Sequence, residues 1–438
     1  MKPKILAILP GLIPSTIIGV VTPVLNLHCA GQIEARVSLE TYVKRQDLRW
    51  CDLVILCRNT DPQTGRWFLE LLQSKKPYIY DIDDNFFELA SDTAIGKYHT
   101  APERINMLKE YIHWADLIRV YSEPMFEKTK VLNSNVVKVN GPVDWRLLSS
   151  AKKSSDKDVI KIVYATSRVN DKLAELFKPA LEDILEKYQE KIEVYFLGYN
   201  PPEFKIYPNV FYRPLTLNYE QYLRYFSSVG FDIGLAPLPD DIFHRSKTNV
   251  KVREYGACRI AGIYSNVNVY SKTVIPGKTG ILVENSYQAW FRALSELIEN
   301  TDLRTQIQEQ AYQFAQENFS QVAFDQLWGQ QIVEVLKQPR KKEENYQHVV
   351  KVLQPNNLQS SSSHTVFSKS QSNRLRYVSN WIWFYNLLRT KFPRLIAGLR
   401  TEGIDYLVRI IRFYIETFWL LVKIRLKLFL FKTKSSSS

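Results

Sequence analysis

Short apolar runs, rich in β-branched and aromatic side chains, recur along this chain with helix-length stretches between or after them. The alternation is completed once and then starts again. Runs of this kind suit parallel strands covered on both faces, and their alternation with helices is the pattern of doubly wound α/β domains. The first series comprises KILAIL (4–9), DLVILC (52–57), KPYIYDI (76–82), ADLIRVYS (115–122) and NVVKVNGPVD (135–144). Helices are expected near 64–74 and 102–115. The loop PGLIPS follows the first run, with Ser15 a candidate N-cap.

A polar, lysine-rich stretch, SSAKKSSDKD (149–158), reads as an interdomain linker. The second series then begins with IKIVYATS (160–167), a helix over 171–190, KIEVYFLG (191–198) and NVFYRPL (209–215). A helix over 218–229, FDIGLAPL (231–238), a helix over 249–262, GIYSN (262–266) and TGILVEN (279–285) follow, with closing helices near 286–299 and 302–317. The expected architecture is therefore two Rossmann-like domains, 1–148 and 159–339, facing across a cleft, with ligands beyond the carboxyl ends of the strands. Residues 340–373 are polar and low in complexity and read as a flexible linker. Residues 374–438 turn aromatic, aliphatic and basic together.

Charge separates the body from this appendage. The chain carries a net +13, and from Arg340 onward there are 18 Lys/Arg against 5 Asp/Glu, which accounts for all of it. A neutral body argues against a nucleic-acid-binding protein. Within 404–432 apolar residues fall at helical spacing among Arg409, Arg412, Lys423, Arg425 and Lys427, and the uncharged runs are too short to span a bilayer. An interfacial helix on an anionic membrane is the reading, with packing on the body or on a partner as the alternative. The four cysteines, Cys29, Cys51, Cys57 and Cys258, lack zinc-ligand spacing and read as reduced thiols. Lys2 and Lys4 precede an apolar run as in a signal peptide, but Pro10, Gly11 and Pro14 interrupt it, so a buried strand is expected. A cytoplasmic protein peripherally bound to a membrane is the resulting expectation.

The segment from Asp232 to Asn285 carries the chemistry. It runs strand, proline-containing loop, S-K-x-x-x-K (246–251), E-Y-G-A (254–257), short strand, then T-G-I-L-V (279–283). Together with Y-D-I-D-D-N-F-F (80–87), A-D-L-I (115–118) and N-G-P-V-D (140–144), it resembles the retaining glycosyltransferase family 4, of GT-B fold, over about residues 1–320. Physically, a site that breaks a bond between a sugar and a nucleoside diphosphate needs fixed positive charge and aimed N–H donors where the diphosphate gathers charge. Lys247, Thr248 and Lys251 around a helix start supply this, and Arg168 and Lys172 are placed to clamp the phosphates from the other side. The resemblance sets Arg168 and Lys172 near the family's diphosphate-binding pair. It makes Glu254 the second glutamate of an E-x7-E pair, accepting from ribose hydroxyls. The first position of that pair is Ser246, a departure that leaves donor-sugar recognition open.

Asp81 and Asp83 have a D-x-D spacing that can hold Mg²⁺ or Mn²⁺. The motif ends a strand of the first half, while the nucleotide is expected on the second, so Asp83 reads as a cleft-facing carboxylate and no metal or other cofactor is expected. Asp83 and Ser246 are the candidate catalytic positions. His28 and His113 read as structural, His99 and His244 as loop residues within reach of the cleft, and Gly277 and Gly280 as turn glycines. No nucleophile–base arrangement stands out, which fits the resemblance: the departing phosphate itself helps deprotonate the acceptor. The reading is transfer of a sugar, with retention, from a nucleoside-diphosphate donor to a glycan or lipid-linked acceptor. A non-catalytic nucleotide- or glycan-binding protein, a membrane-surface scaffold and a sugar-nucleotide epimerase are the alternatives.

Overall fold

A computed structural model describes residues 2–62, 66–89, 94–148, 159–167, 172–214, 218–339 and 346–353, with scattered helical positions between 415 and 426. The basic tail otherwise lies outside the described residues, as do 149–158. Residues 1–353 form one compact unit, and 354–438 fall in a second.

Two six-stranded, all-parallel sheets organise the first unit. The first contains β1 (Lys4–Leu9), β2 (Glu34–Leu39), β3 (Leu53–Cys57), β4 (Tyr78–Ile82), β5 (Leu117–Val120) and β6 (Val136–Lys138), in the order β2-β1-β3-β4-β5-β6. The second contains β7 (Ile160–Ala165), β8 (Ile192–Leu197), β9 (Val210–Arg213), β10 (Ile233–Ala236), β11 (Ala261–Ser265) and β12 (Ile281–Val283), in the order β12-β11-β10-β7-β8-β9. β3 and β4 are buried at every position, as strands sandwiched between helices must be. In each sheet the strand order reverses beside the first strand, between β1 and β3 and between β7 and β10. Crevices for ligands open at such reversals, beyond the strand carboxyl ends.

Several elements differ from their sequence expectations for local reasons. β2 (EARVSL) escaped notice because its one exposed side chain, Arg36, interrupts an already short apolar run. The helix after β1 starts at Pro14 with Ile13 as its N-cap, so Ser15 lies inside the first turn. Pro at the first helical position has no amide hydrogen to leave unsatisfied. The turn continues as a π-helix over Ile17–Val21 before regular α-helix at Thr22–Cys29. The expected strand over 135–144 is hydrogen-bonded as strand only at Val136–Lys138, and the following N-G-P-V-D loop turns to meet the second lobe.

The stretch assigned to the second lobe ends differently from that expectation. The helix Gln321–Lys337 returns to the first lobe. Phe324, Trp328, Ile332 and Val335 form its buried stripe, and the Trp328 indole donates to the Gly19 carbonyl at 2.9 Å. Asn26 bonds Asp325 at 2.8 Å, and Arg119 of β5, fully buried, bonds Gln331 and lies 3.8 Å from the Trp328 ring centroid. The stretch read as a linker likewise contains a short helix, Gln347–Leu353, whose Val349 is buried in the first lobe's core and whose preceding Tyr346 packs edge-on against Trp114. Among the described residues no helix is long and apolar enough to cross a membrane.

Trp328 fastens the returning helix. Trp328→Ala should lower the unfolding free energy by roughly 3–5 kcal/mol, as loss of a fully buried aromatic does, read from the denaturant midpoint of the full chain.

Candidate functional site

A cleft of about 340 Å³ lies between the carboxyl ends of the two sheets. Its second-lobe wall is built on the helix Val250–Ala257 and the loop before it. One turn apart on that helix, Lys251 and Glu254 face the cleft, with the ammonium 2.9 Å from the carboxylate. Tyr222, from the helix Tyr219–Ser228, donates its hydroxyl to the same Glu254 oxygen at 3.1 Å. Burial and the neighbouring Glu254 carboxylate push the Tyr222 phenol well above its ordinary range, so it remains a donor. Lys247, at the mouth of this wall, reaches across to Asp84 of the first lobe at 2.6 Å and lies 4.0 Å from the Phe243 ring centroid. Thr248 lines the cleft beside it.

The first-lobe wall comes from the loop after β4, the residue after β5 and the start of the helix at Pro14. Asp83 lines the cleft, its carboxylate 2.7 Å from the Arg58 guanidinium, which also holds Asp84 at 2.6 Å. Arg58 adopts a left-handed backbone (φ 59°), uncommon for a residue with a side chain and consistent with a locally constrained site. Tyr121 lines the floor and donates to Asp81 at 2.9 Å. Asp81, buried beneath it, also accepts from Arg119 at 3.2 Å. Burial pushes the Asp81 carboxyl up to about 6 despite Arg119 and Tyr121, which pull the other way.

Asp83, Lys247, Thr248, Lys251 and Glu254 thus meet around one cleft. Ser246 does not face it. Only 1% exposed, its hydroxyl donates to the Ile242 carbonyl at 2.8 Å and accepts from Asn85 at 3.0 Å, while its carbonyl accepts from Ser122 at 2.8 Å. Ser246 therefore ties the lobes together at a buried point. Lys172 is exposed on the short helix Lys172–Leu176 and does not line the cleft. Arg168 lies outside the described residues. His244 bonds Asp241 and His99 stacks near Phe86, and neither lines the cleft. His28 is engaged by the backbone of Ile33 and Ala35. Among the described residues no group of three His, Cys, Asp or Glu is arranged to hold a metal.

Sequence reading missed Arg253. It lies between Lys251 and Glu254 on the same helix and also lines the cleft, yet it is 4% exposed and donates to the Pro142 carbonyl at 2.9 Å. Gly141 makes room for it: a Cβ there would come within 2.1 Å of the Arg253 guanidinium. Burial lowers the Arg253 pKa from its usual value. Tyr219 and Tyr222 were also missed, although tyrosines at 219, 222 and 225 repeat at helical spacing and were a legible signal.

No family model matches the sequence, and no curated protein matches it. Solved structures match its fold. HepE of Anabaena, in complex with UDP and glucose, is 11% identical, with TM-score 0.54 over 76% of this chain and 100% of that one. A sucrose-phosphate synthase from Thermosynechococcus elongatus is 14% identical, with TM-score 0.56 over 76% and 99%. A glycosyltransferase from Rickettsia africae is 15% identical, with TM-score 0.55 over 77% and 100%. The two-lobed GT-B architecture expected from the sequence is the one observed.

Two outcomes follow from these contacts. Gly141→Ala should cost about 1–3 kcal/mol through overpacking, and much less in an Arg253→Ala background, where the clashing group is gone. A double-mutant cycle of unfolding free energies measures this coupling. For Asp81, whose folded pKa lies above its unfolded value, the associated stability is full below about pH 4 and lost as pH rises through about 6. The unfolding free energy of wild type relative to Asp81→Asn should therefore decline by up to about 3 kcal/mol across that window in a pH series.

Proposed function

We propose that this protein transfers a sugar from a nucleoside-diphosphate-sugar donor to a glycan or lipid-linked acceptor, with retention at the anomeric carbon. The observation that carries the reading is the convergence of Lys247, Thr248, Lys251 and Glu254 on one wall of a cleft whose opposite wall offers Asp83. The cations would neutralise the diphosphate as its bond to the sugar breaks. Glu254, already accepting from Tyr222 and Lys251, has the acceptor chemistry that ribose hydroxyls need. In the retaining reaction the bond from the anomeric carbon to the phosphate oxygen breaks and the bond to the acceptor oxygen forms on the same face. The acceptor proton passes to the leaving phosphate oxygen, and the nucleoside diphosphate departs. Retention is supported by the sequence resemblance, and UDP is the first nucleotide to try because the HepE structure holds it. Lys247 must exchange Asp84 for a phosphate, so donor binding competes with an existing ion pair.

A second reading, a nucleotide- or glycan-binding protein without turnover, is favoured by one observation: Ser246 is buried against Asn85 instead of facing the ligand. Hydrolysis of a donor by the purified protein would exclude it. The tail 374–438 supports association with an anionic membrane through its charge and apolar spacing, and vesicle co-sedimentation that disappears on removing those residues would test this.

The full chain should gain thermal stability from one series of nucleoside diphosphates, by roughly 2.7 kcal/mol at a hundredfold excess over Kd, and Glu254→Ala should abolish the gain. A cooperative transition indifferent to every nucleotide would sink the proposal.

A further inference from the structure

The cleft is chemically lopsided. Every cationic side chain lining it among the described residues, Lys247, Lys251 and Arg253, belongs to the second lobe. The polar side chains lining the first-lobe side are Ser15, Asp83 and Tyr121, and Arg58 behind them is engaged with Asp83 and Asp84. Tyr121 has a single hydroxyl proton, and it is directed to Asp81 at 2.9 Å. An ionised carboxylate can only accept, so that bond has one polarity. What the phenol oxygen can still offer a ligand is a lone pair. Gly19 closes the other side, since a Cβ there would be 3.1 Å from the Tyr121 oxygen and 3.3 Å from Asp81. Asp83 is likewise an acceptor. Tyr121 and Asp83 therefore call for a ligand that brings hydrogen-bond donors, Ser15 can donate or accept, and the Asp83 carboxylate repels a ligand that brings negative charge.

Resting on the transferase reading above, we infer that the first-lobe wall takes a neutral, hydroxyl-rich part of the acceptor through Tyr121 and Asp83, and excludes a phosphate- or carboxylate-bearing one, with Asp81 as the positioning residue that fixes the polarity of Tyr121. The groups facing Asp81 are Arg119 on β5, Tyr121 just after it, Cys57 at the end of β3, and Tyr80 and Asp83 from β4 and its loop. With its carboxyl pushed up to about 6, Asp81 is ionised at neutral pH. On protonation it becomes a donor and the polarity of the Tyr121 hydroxyl is no longer fixed.

The test uses the full chain loaded with the nucleoside diphosphate that stabilises it, titrated by saturation-transfer NMR with methyl glucoside, methyl glucuronide and glucose 6-phosphate. The neutral glycoside should bind, with the two anions at least roughly tenfold weaker. Tyr121→Phe should weaken the glycoside by roughly tenfold, the scale of one lost hydrogen bond, with nucleotide affinity unchanged. In turnover this reads as a raised acceptor KM at a nearly constant kcat. Wild-type glycoside affinity should fall below about pH 6, and that dependence should vanish in Asp81→Asn. Equal or tighter binding of either anion overturns the inference, as does glycoside affinity unchanged in both Tyr121→Phe and Asp83→Asn. Failure of the nucleotide-loaded protein to bind the glycoside also overturns it. If no nucleotide binds at all, the underlying transferase reading falls first, and this inference with it.

Discussion

The segment Asn140–Asp144 is the seam on which the cleft depends. At Pro142 its carbonyl accepts from Arg253, a buried cation of the second lobe, and at Val143 its amide donates to the Phe319 carbonyl at 2.9 Å. A buried guanidinium without partners would be costly, so its bond to a backbone carbonyl of the opposite lobe fixes where the second-lobe helix can sit. That helix carries Lys251 and Glu254. The absence of a side chain at Gly141 therefore helps set the position of the site's charges, although Gly141 itself supplies no functional group.

Around this seam the electrostatics divide by lobe. Two buried arginines of the first lobe face inward, Arg58 onto Asp83 and Asp84 and Arg119 onto Asp81, and their charge is matched before it reaches the cleft. The second lobe presents Lys247 and Lys251 to the cleft. Lys247 bridges the two regimes by pairing with Asp84. A ligand with an anionic end and a hydroxyl-bearing end would find each complemented, and a ligand anionic at both ends would not.

Most of the architecture was legible because parallel strands buried on both faces are continuous apolar runs. β3, β4, β7 and β10 stand out for that reason, and β2 does not, since Arg36 breaks its run. The convergence of residues on the candidate site was legible where residue type and local spacing suffice, as for Lys247, Lys251 and Glu254, which line one cleft. It failed where the partner is distant in sequence. Nothing in the local sequence says that Arg253 will meet Gly141, or that Ser246 will lie buried against Asn85. The helix Gln321–Lys337 has an ordinary amphipathic stripe, and sequence alone does not say which lobe that stripe will cover. Trp328 on Gly19 and Arg119 on Gln331 decide it.

That returning helix has a mechanical consequence. The chain passes from first lobe to second between 148 and 159 and comes back near Ser320, which pairs with Val143. The N-G-P-V-D loop and the residues that open the returning helix thus share a short stretch of backbone contact, much as two leaves of a door share one pin. Opening the cleft by rotation about that line would preserve the Val143–Phe319 bond while parting Lys247 from Asp84. Sliding one lobe along the other would break that bond. Such a swing must also draw Ser246 away from Asn85 and Ser122, so the cleft is latched by two neutral hydrogen bonds as well as by the ion pair.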